Sequence, residues 1–325
     1  MPTWRSPAAP PVAANARLRA ALQGIRVVDL TQVLAGPTAT RTLAEFGAEV
    51  VKVNNPREEG AGYRWQVHRY HTDVNRGKRT MLVDLKMREG LDVFWRLVEG
   101  ADVVMQNFRL GVAERLGIGY EQVKARRPNI VYGSVSFAGY GGPWERVPGY
   151  EPNAQAATGM AARMGGEAGP PGPQPFAPND YATGLLGAFA VGAALFHRQR
   201  SGEGQHAQTS LVAAATLLQA ALIHTPEGES SALQRLYRAN AQPLVSATAL
   251  MSDPWVVAHG LSLTRADARG DAITTIGPPF RLSRTPVVPG ALVAAPGADG
   301  ADVLASLGMV DRIEELVAKR AIALE

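Results

Sequence analysis

The stretch from residue 25 to residue 53 constrains the fold most. Ile25-Arg26-Val27-Val28-Asp29-Leu30 is a short, nearly continuous apolar run, as a strand buried on both faces requires. Gly36-Pro37 then opens a helix expected over Thr38 to Phe46, and Gly47 stops it. Ala48-Glu49-Val50-Val51-Lys52-Val53 is a second apolar run. Two such strands joined by one helix form a β-α-β unit, whose strands must lie parallel. The alternation continues. Strands are expected at Thr80 to Leu85, Asp102 to Gln106 and Ile130 to Ser136, with helices at Arg88 to Glu99 and Gly119 to Arg127. The fold class that follows is α/β, a Rossmann-like parallel sheet with flanking helices.

A sheet of this kind invites a dinucleotide reading, which the sequence refuses. The first strand is followed by Thr31-Gln32-Val33-Leu34-Ala35-Gly36-Pro37 and lacks the G-x-G-x-x-G fingerprint. Gly77-Lys78-Arg79 lacks the remaining parts of a Walker A loop, and neither G-x-S-x-G nor H-E-x-x-H occurs. No metal site is expected: His68 and His71 are too little on their own. Cysteine is absent, which removes disulfides, thiolate ligands and a thiol nucleophile and fits a cytoplasmic protein. The net charge of +4 is carried largely by dispersed arginines, which favours an anionic small ligand over nucleic acid. The uncharged apolar stretch from Ala182 to Phe196 is too short to span a membrane. Met1 to Asn15 is rich in Pro and Ala, and a flexible leader is expected over residues 1–20.

From Gly139 to Pro178 the chain is rich in Gly and Pro, apart from a helix expected around Asn153 to Ala162. Long loops of this composition in α/β proteins commonly build ligand sites. Then comes Pro178-Asn179-Asp180-Tyr181-Ala182-Thr183-Gly184, heading a helix that ends at Arg200-Ser201-Gly202. Asp180 stands where unpaired N–H groups and the helix dipole favour an anion. Gly184, Ala188 and Gly192 share its face, which a second backbone or a ligand can approach closely. Asp180 is then either a helix cap or a chemical group, and spacing alone favours the cap. After Ser210 a helix is expected to about Ile223. Beyond Thr225 turns and short strand-like pieces dominate up to a helix over Val310 to Lys319, and Asn240 to Gly260 has no clear assignment.

The segment Asp180 to Gly184, followed by Gly192-Ala193-Ala194-Leu195 and Arg200-Ser201-Gly202-Glu203-Gly204-Gln205 with Ser210, resembles the central signature of the class III CoA-transferases. Further pieces follow in family order. They are Leu34 to Pro37, Phe46 to Val53, Asn75 to Arg79, Asp84-Leu85-Lys86, Asn107-Phe108-Arg109 with Ala113 to Gly117, and Gly139 to Pro143. The resemblance runs from about Leu22 to Leu222 and resumes at Asp253-Pro254 and Gly277 to Pro286. It implies interlocked dimers, acyl-CoA and a small carboxylic acid as substrates, and no permanently bound cofactor. It also implies that Asp180 is the nucleophile, passing through an aspartyl anhydride and an aspartyl-CoA thioester. Backbone N–H groups of Gly139, Tyr140, Gly141 and Gly142 are candidates for the oxyanion site. Lys52, Lys78, Arg79, Asn107, Arg109 and Arg115 are candidates for contacts to coenzyme A.

The chain departs from the family pattern in places. Asn54-Asn55 stands where the family commonly has an acid, and Leu110 where it has Pro. The family's small α+β domain is expected to be missing between Leu236-Tyr237-Arg238 and Ala241-Gln242-Pro243. The expected organisation is a large CoA-transferase domain over 21–225, a shortened linker over 226–245 and a C-terminal segment over 246–325 that returns to the large domain. Two other readings stand beside acyl transfer. A racemase of the α-methylacyl-CoA type shares the fold but wants a His-Asp pair, where this chain has Tyr150-Glu151. The other is a catalytically inactive CoA-binding or assembly protein left by domain loss.

Overall fold

The computed structural model describes residues 20–56, 69–165, 172, 176–220, 247–266, 270–278, 280, 282, 284–292 and 294–324. The leader expected over 1–20 lies outside them save for Ala20, and the linker expected over 226–245 lies wholly outside them. Along the chain run β1 (Arg26–Asp29), α1 (Ala35–Glu45), β2 (Glu49–Asn54), β3 (Arg79–Val83), α2 (Arg88–Gly100) and β4 (Val103–Gln106). Next come α3 (Tyr120–Arg126), β5 (Val131–Ser136), α4 (Glu151–Ala157), α5 (Pro178–Ser201), β6 (His206–Ser210) and α6 (Leu211–Leu218). The C-terminal part adds β7 (Ser262–Ala266), β8 (Ala272–Ile276), α7 (Gly300–Ser306) and β9 (Ile322–Ala323).

Seven strands form one sheet in the order β6-β5-β4-β1-β2-β3-β9, parallel except for β9, which pairs antiparallel with β3. Without β9 this is the doubly wound order, whose direction reverses between β1 and β4. β7 and β8 make a separate antiparallel hairpin.

The continuous apolar runs are explained by the two cores. Val28, Val51, Val104 and Tyr132 point into a core with Phe94 of α2, Val123 of α3 and Leu304 of α7. Their neighbours Val27, Val50, Val103 and Val131 point the other way, against Ala39 and Leu43 of α1 and Val191 and Leu195 of α5. Period-two alternation thus loads both faces, and neither face tolerates a polar run.

Several boundaries differ from expectation for physical reasons. α1 begins at Ala35, with Gly36 and Pro37 inside its first turn, where a missing N–H costs nothing. The helix expected around Asn153 to Ala162 is two, α4 and Met160–Gly165, parted at Gly159 with φ of 76°. β6 was not foreseen; it is an edge strand, and the polar sequence His206-Ala207-Gln208-Thr209-Ser210 has no apolar run to show. The C-terminal helix is a 3-10 turn at Val310–Arg312 followed by a helix at Ile313–Ala318.

Asp29, at the end of β1, is fully buried and holds the centre of the sheet. It accepts from Thr31 Oγ1 at 2.5 Å, Thr40 Oγ1 at 2.6 Å and Lys78 Nζ at 2.9 Å, and Lys52 Nζ is 3.6 Å away. Burial alone would raise the Asp29 pKa, but Lys52, Lys78 and the two hydroxyls outweigh it and hold the carboxyl well below its usual range. Removing this carboxylate leaves two buried ammonium groups without a counter-charge. Asp29→Ala is therefore expected to lose on the order of 3–5 kcal/mol of unfolding free energy, measured by urea denaturation at pH 7.

Candidate active site

The loops after β1 and β4 diverge at the point where the strand order reverses, and the crevice between them is where open α/β sheets take ligands. A cavity of about 320 Å³ lies there. Gln32 to Ala35 and Asn107 to Leu110 form part of its lining, Val135 to Phe137 and Glu145 to Tyr150 another part, and Val112, Asp180 and Leu211 complete it. Asn107 ties the two loops together. Its amide accepts from Gln32 N at 2.8 Å and donates to Gln32 O at 2.8 Å. Lys52 Nζ donates to the carbonyl of Thr31, and Thr31 N donates to Asp29 at 2.9 Å. Clamped on both sides, the loop carries Val33 at a φ of 67°. A β-branched residue in that region is strained, by roughly 1–3 kcal/mol, and such strain persists only where the surroundings over-determine it.

Asp180 occupies the first turn of α5 and is 9% exposed. No side chain at the N-cap, Ala177, caps this helix. Glu151, from α4, does so from outside. Its Oε2 accepts from Asp180 N at 2.7 Å, and its Oε1 accepts from Asn179 Nδ2 and Gln155 Nε2, each at 2.7 Å. The Asp180 carboxylate is left to face the crevice, where the backbone N–H of Ala35 in α1 pulls its pKa down. α1 and α5 approach closely because Gly184 has no side chain. A Cβ there would sit 2.5 Å from Thr38 Cβ and 2.7 Å from the Ala35 carbonyl oxygen. Burial, and then the charge of Glu151, push the Asp180 pKa up to about 7, against the pull of the Ala35 N–H. Perturbed carboxylates in clefts mark candidate functional sites.

Residues 22–235 match the family model described as CoA-transferase family III. The chain belongs to this family. Among curated relatives, a succinate–glutarate CoA-transferase of Agrobacterium fabrum is 38% identical over 204 residues, covering 59% of this chain and 51% of the relative. A succinyl-CoA:mesaconate CoA-transferase of Haloarcula hispanica is 38% identical over 206 residues, covering 59% of this chain and 52% of the relative. The chain spans about half the length of the curated relatives it matches. A crystal structure of Rv3272 from Mycobacterium tuberculosis superposes with a TM-score of 0.76 at 27% identity, covering 88% of this chain and 99% of that one.

For this family III chain, the crevice gathers some of the residues singled out in the sequence and leaves others elsewhere. Asp180, Asn107 and Arg109 line it. Lys52 and Lys78 do not. Both are buried in the Asp29 cluster, and Lys78 also donates to Pro37 O at 3.0 Å and Asn75 Oδ1 at 2.8 Å. Arg79 lies at the start of β3, 3.3 Å from Glu49 and beside a different cavity at the N-terminal edge of the sheet. Arg115 is exposed and outside the crevice lining. Gly139 to Gly142 are not part of the lining either. The Gly139 N–H is engaged by Ser136 Oγ at 2.9 Å and that of Gly141 by Glu145 Oε2 at 3.0 Å. What sequence reasoning missed is Glu151, read there only as a departure from a His-Asp pair. Its partner Asp180 N is 29 residues away, and only the fold joins them.

The raised pKa sets the sign of a stability effect. Folded Asp180 keeps its proton up to about pH 7, whereas the unfolded carboxyl loses it near 3.8. Its contribution to stability is therefore full below the unfolded value and is lost as pH rises through the folded one. Asp180→Asn removes the penalty and preserves an acceptor for the Ala35 N–H. We expect it to be more stable than the wild type at pH 8, on the order of 2–4 kcal/mol, with the gap closing by pH 4 in urea denaturation. Glu151→Gln keeps the helix cap and removes the charge, so it should lower the Asp180 pKa in a carbon-detected NMR titration.

Proposed function

We propose that this protein is a CoA-transferase, moving CoA from an acyl-CoA donor to a carboxylic acid through covalent intermediates on Asp180. One observation carries the reading: in a family III fold, a buried carboxylate relieved of capping duty faces the switch-point crevice and a helix N-terminus. In the first step Asp180 attacks the thioester carbonyl, the C–S bond breaks, and a mixed anhydride and CoA thiolate form. The thiolate then attacks the aspartyl carbonyl, releasing the donor acid and leaving an aspartyl-CoA thioester. The acceptor carboxylate attacks that thioester, breaking its C–S bond to give a second mixed anhydride and CoA thiolate; the thiolate then attacks the acceptor carbonyl, forming the acceptor acyl-CoA and restoring the Asp180 carboxylate.

The oxyanion role moves from Gly139 to Gly142 to the first turn of α1, because the Ala35 N–H already faces Asp180. Arg109 and Arg146, both exposed on the crevice lining, are assigned to CoA phosphates, and Asn107 to holding the loops rather than the nucleotide. Val33, Leu34, Phe108 and Val135 offer the acyl chain an apolar wall. The relatives named for succinate, glutarate and mesaconate make short dicarboxylic acids the first acceptors to assay, with succinyl-CoA as donor. Proton-transfer chemistry is disfavoured, since no histidine is found in the crevice lining among the described residues. We place the reaction in the cytoplasm, in keeping with the cysteine-free composition.

We also assign a homodimer. α5 and α6 leave Phe189 at 76%, Phe196 at 60% and Leu217 at 58% exposure, an apolar surface suited to a second copy. Light scattering should give twice the chain mass, and Phe189→Glu should give monomer.

Incubation with succinyl-CoA, quenching and intact-mass analysis should reveal a covalent adduct that hydroxylamine discharges at Asp180. Asp180→Ala should lower exchange by at least about a thousandfold, in the range of lost nucleophiles, with CoA affinity nearly unchanged. Full exchange by that variant would exclude the mechanism. CoA binding by the wild type without adduct or exchange would identify a binding protein instead.

A further inference from the structure

Behind the crevice, on the sheet face that carries α2 and α3, lies a polar cluster that contributes nothing to the cavity lining. Its members are Gln106 at the end of β4, Ser134 in β5, Tyr140 in the following loop and His206 at the start of β6. Gln106 Nε2 donates to Ser134 Oγ at 2.9 Å, and Ser134 Oγ lies 2.8 Å from His206 Nε2. The Tyr140 ring meets the His206 ring edge-on with centroids 6.1 Å apart, and Ser134 and Gln106 pull the Tyr140 pKa down against the burial that raises it. Gln208 Nε2 points at His206 Nδ1 from 3.3 Å, so Nδ1 accepts and the ring proton sits on Nε2, directed at Ser134. The ring is stacked on Tyr120 with centroids 4.7 Å apart and meets Tyr132 edge-on at 5.4 Å.

This cluster grips both crevice walls. On one side Gln106 Oε1 accepts from Phe108 N at 2.7 Å, which fixes the turn Asn107 to Leu110. On the other, Tyr140 anchors a loop already stiffened by Gly139 N to Ser136 and Gly141 N to Glu145, and that loop continues into the lining at Glu145 to Tyr150. Ser134 is 2% exposed and joins the two halves. A buried hydroxyl held by two side chains, Gln106 and His206, has a fixed position, and a fixed position is what a bracket between two loops needs.

We propose that Ser134, oriented by His206, is a positioning residue that couples the 107–110 turn to the 137–150 loop through Gln106 and Tyr140 and thereby sets the crevice for CoA. The part concerning CoA rests on the function proposed above; the coupling of the loops does not. The experiment has two readouts. Amide exchange of the free protein reads the bracket itself: in Ser134→Ala the amides of Phe108 and of residues 139–150 should exchange about tenfold faster together, while those of β1 and β2 stay unchanged. Calorimetry with CoA reads the consequence: the Kd should rise about tenfold in Ser134→Ala and Tyr140→Phe. His206→Gln, which retains a donor toward Ser134, should stay near wild type, whereas His206→Leu should behave like Ser134→Ala. Acceleration in only one wall, or in neither, overturns the coupling. Tyr140→Phe is the second variant should Ser134→Ala unfold. If the wild type binds no CoA, the proposed function fails while the exchange data still decide on the bracket. Wild-type Kd in a variant whose walls have both loosened overturns the link to CoA.

Discussion

The arrangement around the crevice depends on which carboxylate caps α5. A helix N-terminus presents N–H groups that some acceptor must satisfy, normally the side chain at the N-cap. Here the N-cap is Ala177, which offers none. Glu151 reaches in from α4 and takes the Asp180 N–H at 2.7 Å, with Asn179 Nδ2 on its other oxygen. The sequence left Asp180 between cap and chemical group, and a third residue bears on that choice. Capping belongs to Glu151, and the Asp180 carboxylate turns to α1. Two acids near one helix end repel each other, which is why the arrangement raises the Asp180 pKa as well as freeing its oxygens.

A second constraint keeps the opposite side of the crevice in place. The turn from β1 into α1 is short and carries a left-handed valine, a conformation that would relax if the loop were loose. It is held from beneath by Lys52 and Asp29 at Thr31, and from the side by Asn107 at Gln32. The buried charges of Asp29, Lys52 and Lys78 are therefore used for geometry. They lock the strand ends from which the crevice opens.

The sheet and its helices were legible in the sequence because each central strand is buried on both faces and shows as an unbroken apolar run. Val27-Val28 and Val103-Val104 are examples in which adjacent residues serve opposite cores. β6 was not legible, because an edge strand need not be apolar, and β9 was not, because two residues carry no period. Asp180, singled out by its place at a helix head and by the ordered motifs, lies in the crevice lining. Lys52 and Lys78 lie outside the crevice lining, since sequence records charge but not whether a buried partner such as Asp29 has claimed it. Glu151, Ser134 and His206 act through contacts between distant elements, and no local pattern encodes such contacts.

A carboxylate nucleophile faces conflicting demands. It must be ionised to attack, yet a site dry enough to protect an anhydride penalises the ion. In the role proposed for Asp180, a place between the N-termini of α1 and α5 addresses both. Burial and Glu151 keep its pKa near neutrality, so the anion is basic and poorly solvated, and the Ala35 N–H keeps it accessible. During the proposed exchange the negative charge moves from carboxylate to carbonyl oxygen to thiolate and back. Each of these positions lies within a few ångströms of the Asp180 carboxyl carbon, and hence within the field of the same two helix ends. Fixed dipoles that serve several successive anions need no rearrangement between steps, and that favours a chain of acyl transfers over a single displacement.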